Sequence, residues 1–249
     1  MKLLISSLQV FVLSAVGSSV FAQTLISGDQ QVQLIELYTS EGCSSCPPAD
    51  RWLGRLQYDK GLWSDFVPVA FHVDYWDYLG WADKFAEQAF SDRQHLHADQ
   101  GNISRVYTPG FVIQGQEWRG WFQRKSRPAR PTQNTGNLKL SIESHIVTIE
   151  FTPQIIMTEG EVNFAVLGFG LRHSIFGGEN AGTELDHDFV VLDHRHKPTQ
   201  IKNKKLSAEF TMAPLVSRNS TRLAVVAWVT PVDKLKPVQA VGGWYYTHD

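Results

Sequence analysis

The chain has 249 residues and a formal charge of −2, so it carries no basic field of the kind that binds nucleic acid. Eight tryptophans and 12% aromatic residues describe a well-packed globular protein or one with an aromatic binding surface. The length suits one large or two ordinary domains, and only two cysteines are available for redox or metal chemistry.

Met1-Lys2 gives a short basic start, Leu3 to Val16 is mostly apolar, and Val20-Phe21-Ala22 ends on the small residue that signal peptidase requires. Residues 1–22 are therefore expected to be a signal peptide cleaved near Ala22, which places the mature protein in the periplasm or outside the cell. No later stretch reaches about 18 apolar residues, so no stable membrane span is expected. In such an oxidising compartment a cysteine pair can be a staple or a catalyst.

Val32 to Tyr38 reads as a buried strand, followed at once by Cys43-Ser-Ser-Cys46-Pro47-Pro48. Proline is tolerated in the first turn of a helix, where its missing N–H would have no partner. The stretch therefore predicts strand, short loop, Cys43 at a helix N-terminus and Cys46 inside the first turn, with Ala49, Leu53 and Leu56 on one helix face. Free N–H groups there favour a thiolate, so Cys43 is expected to be the exposed attacking sulfur and Cys46 the shielded, resolving one. A structural disulfide and half of a zinc site are the alternatives. A two-residue loop gains little from closure, and zinc needs further ligands at regular spacing.

Phe66 to Val73 predicts a second strand, leading into the aromatic loop Tyr75-Trp-Asp-Tyr-Leu-Gly-Trp81. Tyr75, Trp76 and Trp81 are candidate substrate-binding residues able to grip an unfolded polypeptide; inward packing is the other reading. A helix is expected from Asp83 to about Ala98, then Thr108-Pro109-Gly110 leads into Phe111–Gly115. Between Glu117 and Gly136, Arg119, Arg124, Lys125, Arg127 and Arg130 cluster, with Pro128 and Pro131 breaking any helix. That segment reads as a linker whose charges are a solvated face or a contact for an anionic surface. Beyond Asn137, alternation in Leu138–Ile142 and Ile146–Phe151, then five further short apolar segments, predicts a β-sandwich of seven or eight strands. Gly177-Gly-Glu-Asn-Ala-Gly182 reads as a turn and not a phosphate loop.

The order β, Cys-x-x-Cys, α, β, α, Pro, β is the thioredoxin arrangement. Glu36-Leu-Tyr-Thr-Ser with Gly42-Cys-Ser-Ser-Cys-Pro-Pro-Ala-Asp50, Phe71-His-Val-Asp-Tyr-Trp-Asp77, Arg93-Gln94, Tyr107-Thr-Pro-Gly110 and Gly178-Glu-Asn180 resemble the secreted family named domain of unknown function 1223. The resemblance runs from about Gln33 to the C-terminus. The resemblance implies an α/β thioredoxin-like domain over 30–118; the residues beyond it read as a linker over 119–136 and an all-β sandwich domain over 137–249. It also implies that the Thr108-Pro109 bond is cis, with Pro109 shaping the substrate groove and Thr108 offering backbone groups to an extended peptide. Thioredoxins carry a buried acid where this chain has Leu37. Glu36, the nearest acid, is either the proton acceptor for Cys46 or an edge acid with a salt partner.

The expected function is thiol–disulfide exchange, with catalytic Cys43, Cys46, Thr108 and Pro109, polypeptide thiols or disulfides as substrate, and a redox partner protein. No cofactor and no metal is called for. The rival is a non-catalytic binding or copper-delivery protein, in which the cysteines would act with histidines from the set His95, His97, His187, His194 and His196.

Overall fold

Seven consecutive residues, Gln33–Thr39, are all buried in β2, and so are the seven of β3, Phe66–His72. Strands buried on both faces have no polar side to alternate with, which is why these segments read as apolar runs. The two pair in parallel, Leu34 opposite Val67 and Thr39 opposite His72. Their crossover is helix α1, Pro47–Arg55, with prolines in its first turn and Cys46 as its N-cap residue. Strand β4, Gly110–Ile113, runs antiparallel to β2, and β5, Gln116–Glu117, closes that edge. Helix α2, Gln88–Asp99, lies over the sheet face that carries Glu36, Tyr38 and Phe71, with Phe90 packed on Phe71 and His97 on Tyr38. It starts later than the sequence predicts, because Asp83 is not a helix cap but a buried partner of His72.

The computed structural model describes residues 22–212 and 220–246. The expected leader lies outside them except for Ala22, which opens strand β1, Ala22–Ile26, opposite Glu143. Among the described residues no helix is long and apolar enough to cross a membrane.

From residue 136 onward every helix-or-strand element among the described residues is a strand. β6, Gly136–Glu143, and β7, Ile146–Pro153, alternate buried and exposed positions across a tight turn at Ser144, whose φ is 56°. β8 (Glu159–Phe169) is followed by the hairpin β9 (Leu171–Ser174) and β10 (Glu184–His187). Then come β11 (Val190–Gln200), β12 (Leu206–Thr211), β13 (Arg222–Thr230) and β14 (Gln239–Tyr245). A four-stranded sheet, β1-β6-β7-β12, packs on an eight-stranded sheet of order β14-β13-β8-β11-β3-β2-β4-β5. β13 shows how the large sheet serves two cores. Val225, Ala227 and Val229 face the small sheet, while Ala224, Val226 and Trp228 join the core that holds β2, β3 and α1.

The expectation of an α/β thioredoxin-like domain followed by an all-β sandwich domain is overturned by that eight-stranded sheet. The protein is predominantly β, with fourteen strands and two short α-helices among the described residues. β3 takes β11 as its neighbour, Ala70 pairing with Val190 and the Ala70 N–H donating to the Phe189 carbonyl at 2.8 Å. Past a bulge between Val191 and Asp193, β11 continues antiparallel to β8. Sheet hydrogen bonds thus run without a break from the strands around the cysteines to those near the C-terminus. Phe169, Phe189, Ala224 and Trp228 share one apolar core with Leu34, Leu37, Phe71 and Phe111.

Candidate active site at the Cys43–Cys46 pair

Cys43 and Cys46 form a disulfide, with Cα atoms 5.4 Å apart, in the loop between β2 and α1. The loop is folded by local bonds: the Cys43 N–H reaches the Ser40 carbonyl, and the Cys46 N–H the Cys43 carbonyl. The Cys46 carbonyl accepts from Ala49 and Asp50, starting the helix. Ser44 and Ser45 between the sulfurs are exposed. Both cysteines are buried, Cys43 at 1% and Cys46 at 0% exposure, which corrects the expectation of an exposed Cys43.

Part of that covering comes from far along the chain. The loop joining β9 to β10 lies over the cysteine loop. The Asn180 amide donates to the Glu41 carbonyl at 2.8 Å and to the Cys43 carbonyl at 3.0 Å. The Glu179 carboxylate accepts from the Ser44 N–H at 2.9 Å and the Ser44 hydroxyl at 2.7 Å. Those two bonds hold the Glu179 carboxyl below its usual range. The Gly178-Glu-Asn180 motif is thus a clamp on the cysteine loop, a role that a turn reading of its glycines does not reveal.

The aromatic loop approaches from the other side. A Cβ at Gly42 would lie 2.9 Å from the Trp76 Cβ, so only glycine permits this approach. The Trp76 indole N–H donates to the Thr108 hydroxyl at 2.7 Å, linking the cysteine loop to the Thr108-Pro109 bond, which is cis. The Tyr75 hydroxyl donates to Gln94 Oε1, and Gln94 Nε2 donates to the Tyr107 carbonyl at 2.7 Å. Gln94 of the Arg93-Gln94 motif therefore ties α2 to both loops. Trp81 reaches back to Glu41, its indole N–H 2.8 Å from Oε2. Tyr75, Trp76 and Trp81 are all half-buried and hydrogen-bonded into the scaffold, while Tyr78 projects into solvent at 78% exposure.

Glu36 lies on the α2 face of the sheet. Its carboxylate is 2.9 Å from the Arg93 guanidinium, accepts from the Tyr38 hydroxyl, and lies 3.3 Å from His97 Nε2. Burial opposes its ionisation, but Arg93 and His97 overcome that and hold its pKa at about 2. Glu36 is thus a fixed anion with salt partners, unsuited to collecting a proton from Cys46.

A second charged cluster, which the sequence reading did not assemble, occupies the interior near the cysteine loop. Glu41 Oε1 lies 2.8 Å from His173 Nδ1 and 3.2 Å from His187 Nε2. The Glu41 N–H donates to Asp83 Oδ2, which also lies 2.7 Å from His72 Nδ1. Burial opposes ionisation of Asp83, yet His72 and the two backbone N–H donors hold its pKa at about 2. His72 is raised in turn, Asp83 outweighing the burial that would lower it. Asp50, four residues after Cys46 and so on the same face of α1, is also buried. Burial pushes its carboxyl up, only partly offset by His187 and His72.

Of the histidines in the copper alternative, His97 faces Glu36, His187 faces Glu41, and His194 stacks on Trp228 with Nε2 3.1 Å from Asn163. His196 lies 3.2 Å from Glu161 on the surface, and His95 is exposed on α2. They do not gather on the cysteines.

Two solved structures are similar in fold. A crystal structure of a protein from Agrobacterium tumefaciens matches with a TM-score of 0.61 and 22% identity over 88% of this chain and 99% of that one. HBP35 of Porphyromonas gingivalis matches with a TM-score of 0.54 and 13% identity over 86% of this chain and 75% of that one. At such identities the likeness is one of fold. No curated protein matches the chain. The profile of the family described as protein of unknown function (DUF1223) matches residues 34–230, a span that holds the cysteine pair, the Arg93-Gln94 motif and the Asn180 clamp. The chain belongs to the DUF1223 family.

Proposed function

We propose that the protein is a thiol–disulfide oxidoreductase of an extracytoplasmic compartment, acting through Cys43 and Cys46. The observation that carries this reading is the pair itself, joined as a disulfide at the head of α1 with a buried acid one helical turn below. The leader-like residues 1–22 support the compartment.

In the oxidising direction a substrate thiolate attacks Cys43 Sγ. The Cys43–Cys46 bond breaks, its electron pair leaves on Cys46, and a mixed disulfide forms. Cys46 takes up a proton. A second substrate thiolate then attacks the substrate sulfur of the mixed disulfide, expelling Cys43 as thiolate. Two substrate thiols become one disulfide, and the protein pair gains the two electrons. The reverse sequence reduces a substrate disulfide at the expense of the reduced pair, and a redox partner protein restores either form. Asp50 takes the proton role that the sequence left open for Glu36, since burial raises its carboxyl and favours its protonated form one helical turn below Cys46. Trp76, packed on the cysteine loop at Gly42, donates to the Thr108 hydroxyl, and from there Thr108 would present backbone groups to the substrate.

Titrating the pair against glutathione or dithiothreitol buffers, with alkylation and mass readout, tests the proposal. A reversible two-electron midpoint between about −120 and −270 mV supports exchange; one below about −300 mV marks a structural staple and ends the reading.

A further inference from the structure

Outside α1 lies a groove of about 500 Å³ that the exchange chemistry does not use. One wall is α1 itself, through Pro48, Trp52 and Arg55; the other is the turn carrying Trp121, Phe122, Arg124 and Lys125. The floor is rigid, with Trp52 packed on Phe111 and Trp118, and Trp121 on Phe111 and Phe122. Phe122 is 55% exposed at the rim.

The charge of this groove is one-sided. No carboxylate lines it. Arg119 and Arg130, from the same basic run, are paired with Glu117 and Asp65. Arg55, Arg124 and Lys125 form no ion pair among the described residues, and neither does Arg51. Arg51 and Arg55 are four apart on α1, a spacing at which like charges repel. Arg124 is held at φ 54°, a left-handed conformation that glycine or asparagine adopts more readily. An uncompensated cationic rim over aromatic rings fits an anionic ligand that also has an apolar group.

The groove's place on α1 says what that ligand is attached to. Pro48 is two residues beyond Cys46, and at about 1.5 Å per residue the helix reaches Arg55 within about 14 Å of the pair. An extended peptide advances about 3.3 Å per residue, so about four residues of a substrate joined at the pair are long enough to reach along the groove. We propose that this groove docks the acidic flank of a polypeptide substrate, a segment with one apolar or aromatic side chain and at least two carboxylates within about four positions of its reacting cysteine. The assignment rests on the exchange reading for the word substrate; recognition of the acidic segment does not.

The test uses the full mature protein and two rhodamine-labelled peptides without cysteine, one rich in Glu and Phe, the other in Lys and Phe. Fluorescence anisotropy should give the acidic peptide an affinity at least about tenfold higher at about 0.02 M salt, vanishing by about 0.3 M. Arg124→Glu with Lys125→Glu should invert the preference, with circular dichroism confirming the fold. The salt titration of the unaltered protein needs no variant. Equal affinities at low salt overturn the proposal, as does a preference unchanged in the folded variant. If glutathione displaces the acidic peptide at concentrations matching the peptide's own affinity, the polypeptide assignment is overturned. Single-cysteine versions of both peptides then report attack on Cys43: the acidic one should react at least about tenfold faster at low salt. Preferential binding without any exchange sinks the redox reading alone, because the cysteine-free peptides score the groove by itself.

Discussion

Asn180 donates its side-chain amide to the carbonyl of Cys43, fastening residue 180 to residue 43 at the point where a disulfide is buried beneath it. A thiol attacking Cys43 needs a line of approach to Sγ, and the β9–β10 loop is expected to set how often that line is open.

Asn180→Ala and Glu179→Ala should therefore make the disulfide easier to reach. Each variant gives up two hydrogen bonds to the cysteine loop, and the buried Asn180 pair is worth about 1–2 kcal/mol. Reduction by dithiothreitol should accelerate by about 5- to 30-fold in Asn180→Ala and by less in Glu179→Ala. An unchanged rate in both variants would show that the loop does not control access.

If Cys46 resolves, Cys46→Ser should accumulate mixed disulfides through Cys43, whereas Cys43→Ser should accumulate none. Asp50→Asn should slow exchange at pH 7 by about 10- to 100-fold and remove an inflection from the rate–pH profile. The same variant should raise thermal stability at neutral pH, since burial disfavours the Asp50 charge. A slower rate with an unaltered pH profile would leave Asp50 a structural residue only.

The Glu36–Arg93 pair offers a stability test independent of redox chemistry. Arg93→Met leaves an anion buried with only Tyr38 and His97 as polar partners, and should cost about 3–5 kcal/mol in urea unfolding. Replacing both members, Glu36→Leu with Arg93→Met, should cost less than Arg93→Met alone, because no charge is stranded. A double variant at least as unstable as the single one would refute that account.

Acid should unfold the protein in two stages. Burial, with Arg93 nearby, depresses His194 to about 3, below its ordinary 6.5. A histidine kept neutral in the fold contributes fully above pH 6.5 and loses that contribution as pH falls toward 3, because the unfolded chain binds the proton first. Glu36 and Asp83, both at about 2, lose theirs only below about pH 4.5. His72, raised by Asp83, works in the opposite sense, its contribution fading as pH rises through its folded value. Asp50, raised by burial, gains stability over the same fall in pH, so the His194 share is read in an Asp50→Asn background, where the urea midpoint should decline from pH 6.5 to 4.5 and then fall more steeply. His194→Leu should flatten the first stage; an equal slope in that variant would remove His194 as its cause.

Local signals were legible where the physics is local. The period-two alternation of β6 and β7, the apolar runs of β2 and β3, and the proline-started helix after Cys46 all read directly from neighbouring residues. The pairing of Ala70 with Val190 did not, because nothing near either residue distinguishes a sheet edge from a sheet centre. The same blindness split one sheet into two expected domains. Asp83 looked like a helix start and is a buried counter-ion of His72, while Glu41, the hub of two histidines and Trp81, carried no motif of its own. Glu36 was visible as an unusual acid in a buried strand. Its partner Arg93 is 57 positions away, and only the fold decides between the two expected roles, proton acceptor and salt partner, in favour of the ion pair.

The seam between β3 and β11 also sets a timetable. A chain emerges from its N-terminus, so β3 gains its neighbour only after Val190 has been delivered, roughly 140 residues behind Cys46. At about 5–20 residues per second that interval lasts about 7–30 s. Asn180 arrives hardly sooner. For that interval the cysteine loop has neither its Asn180 bonds nor β11 beside β3, so the two cysteines exist uncovered before they are buried.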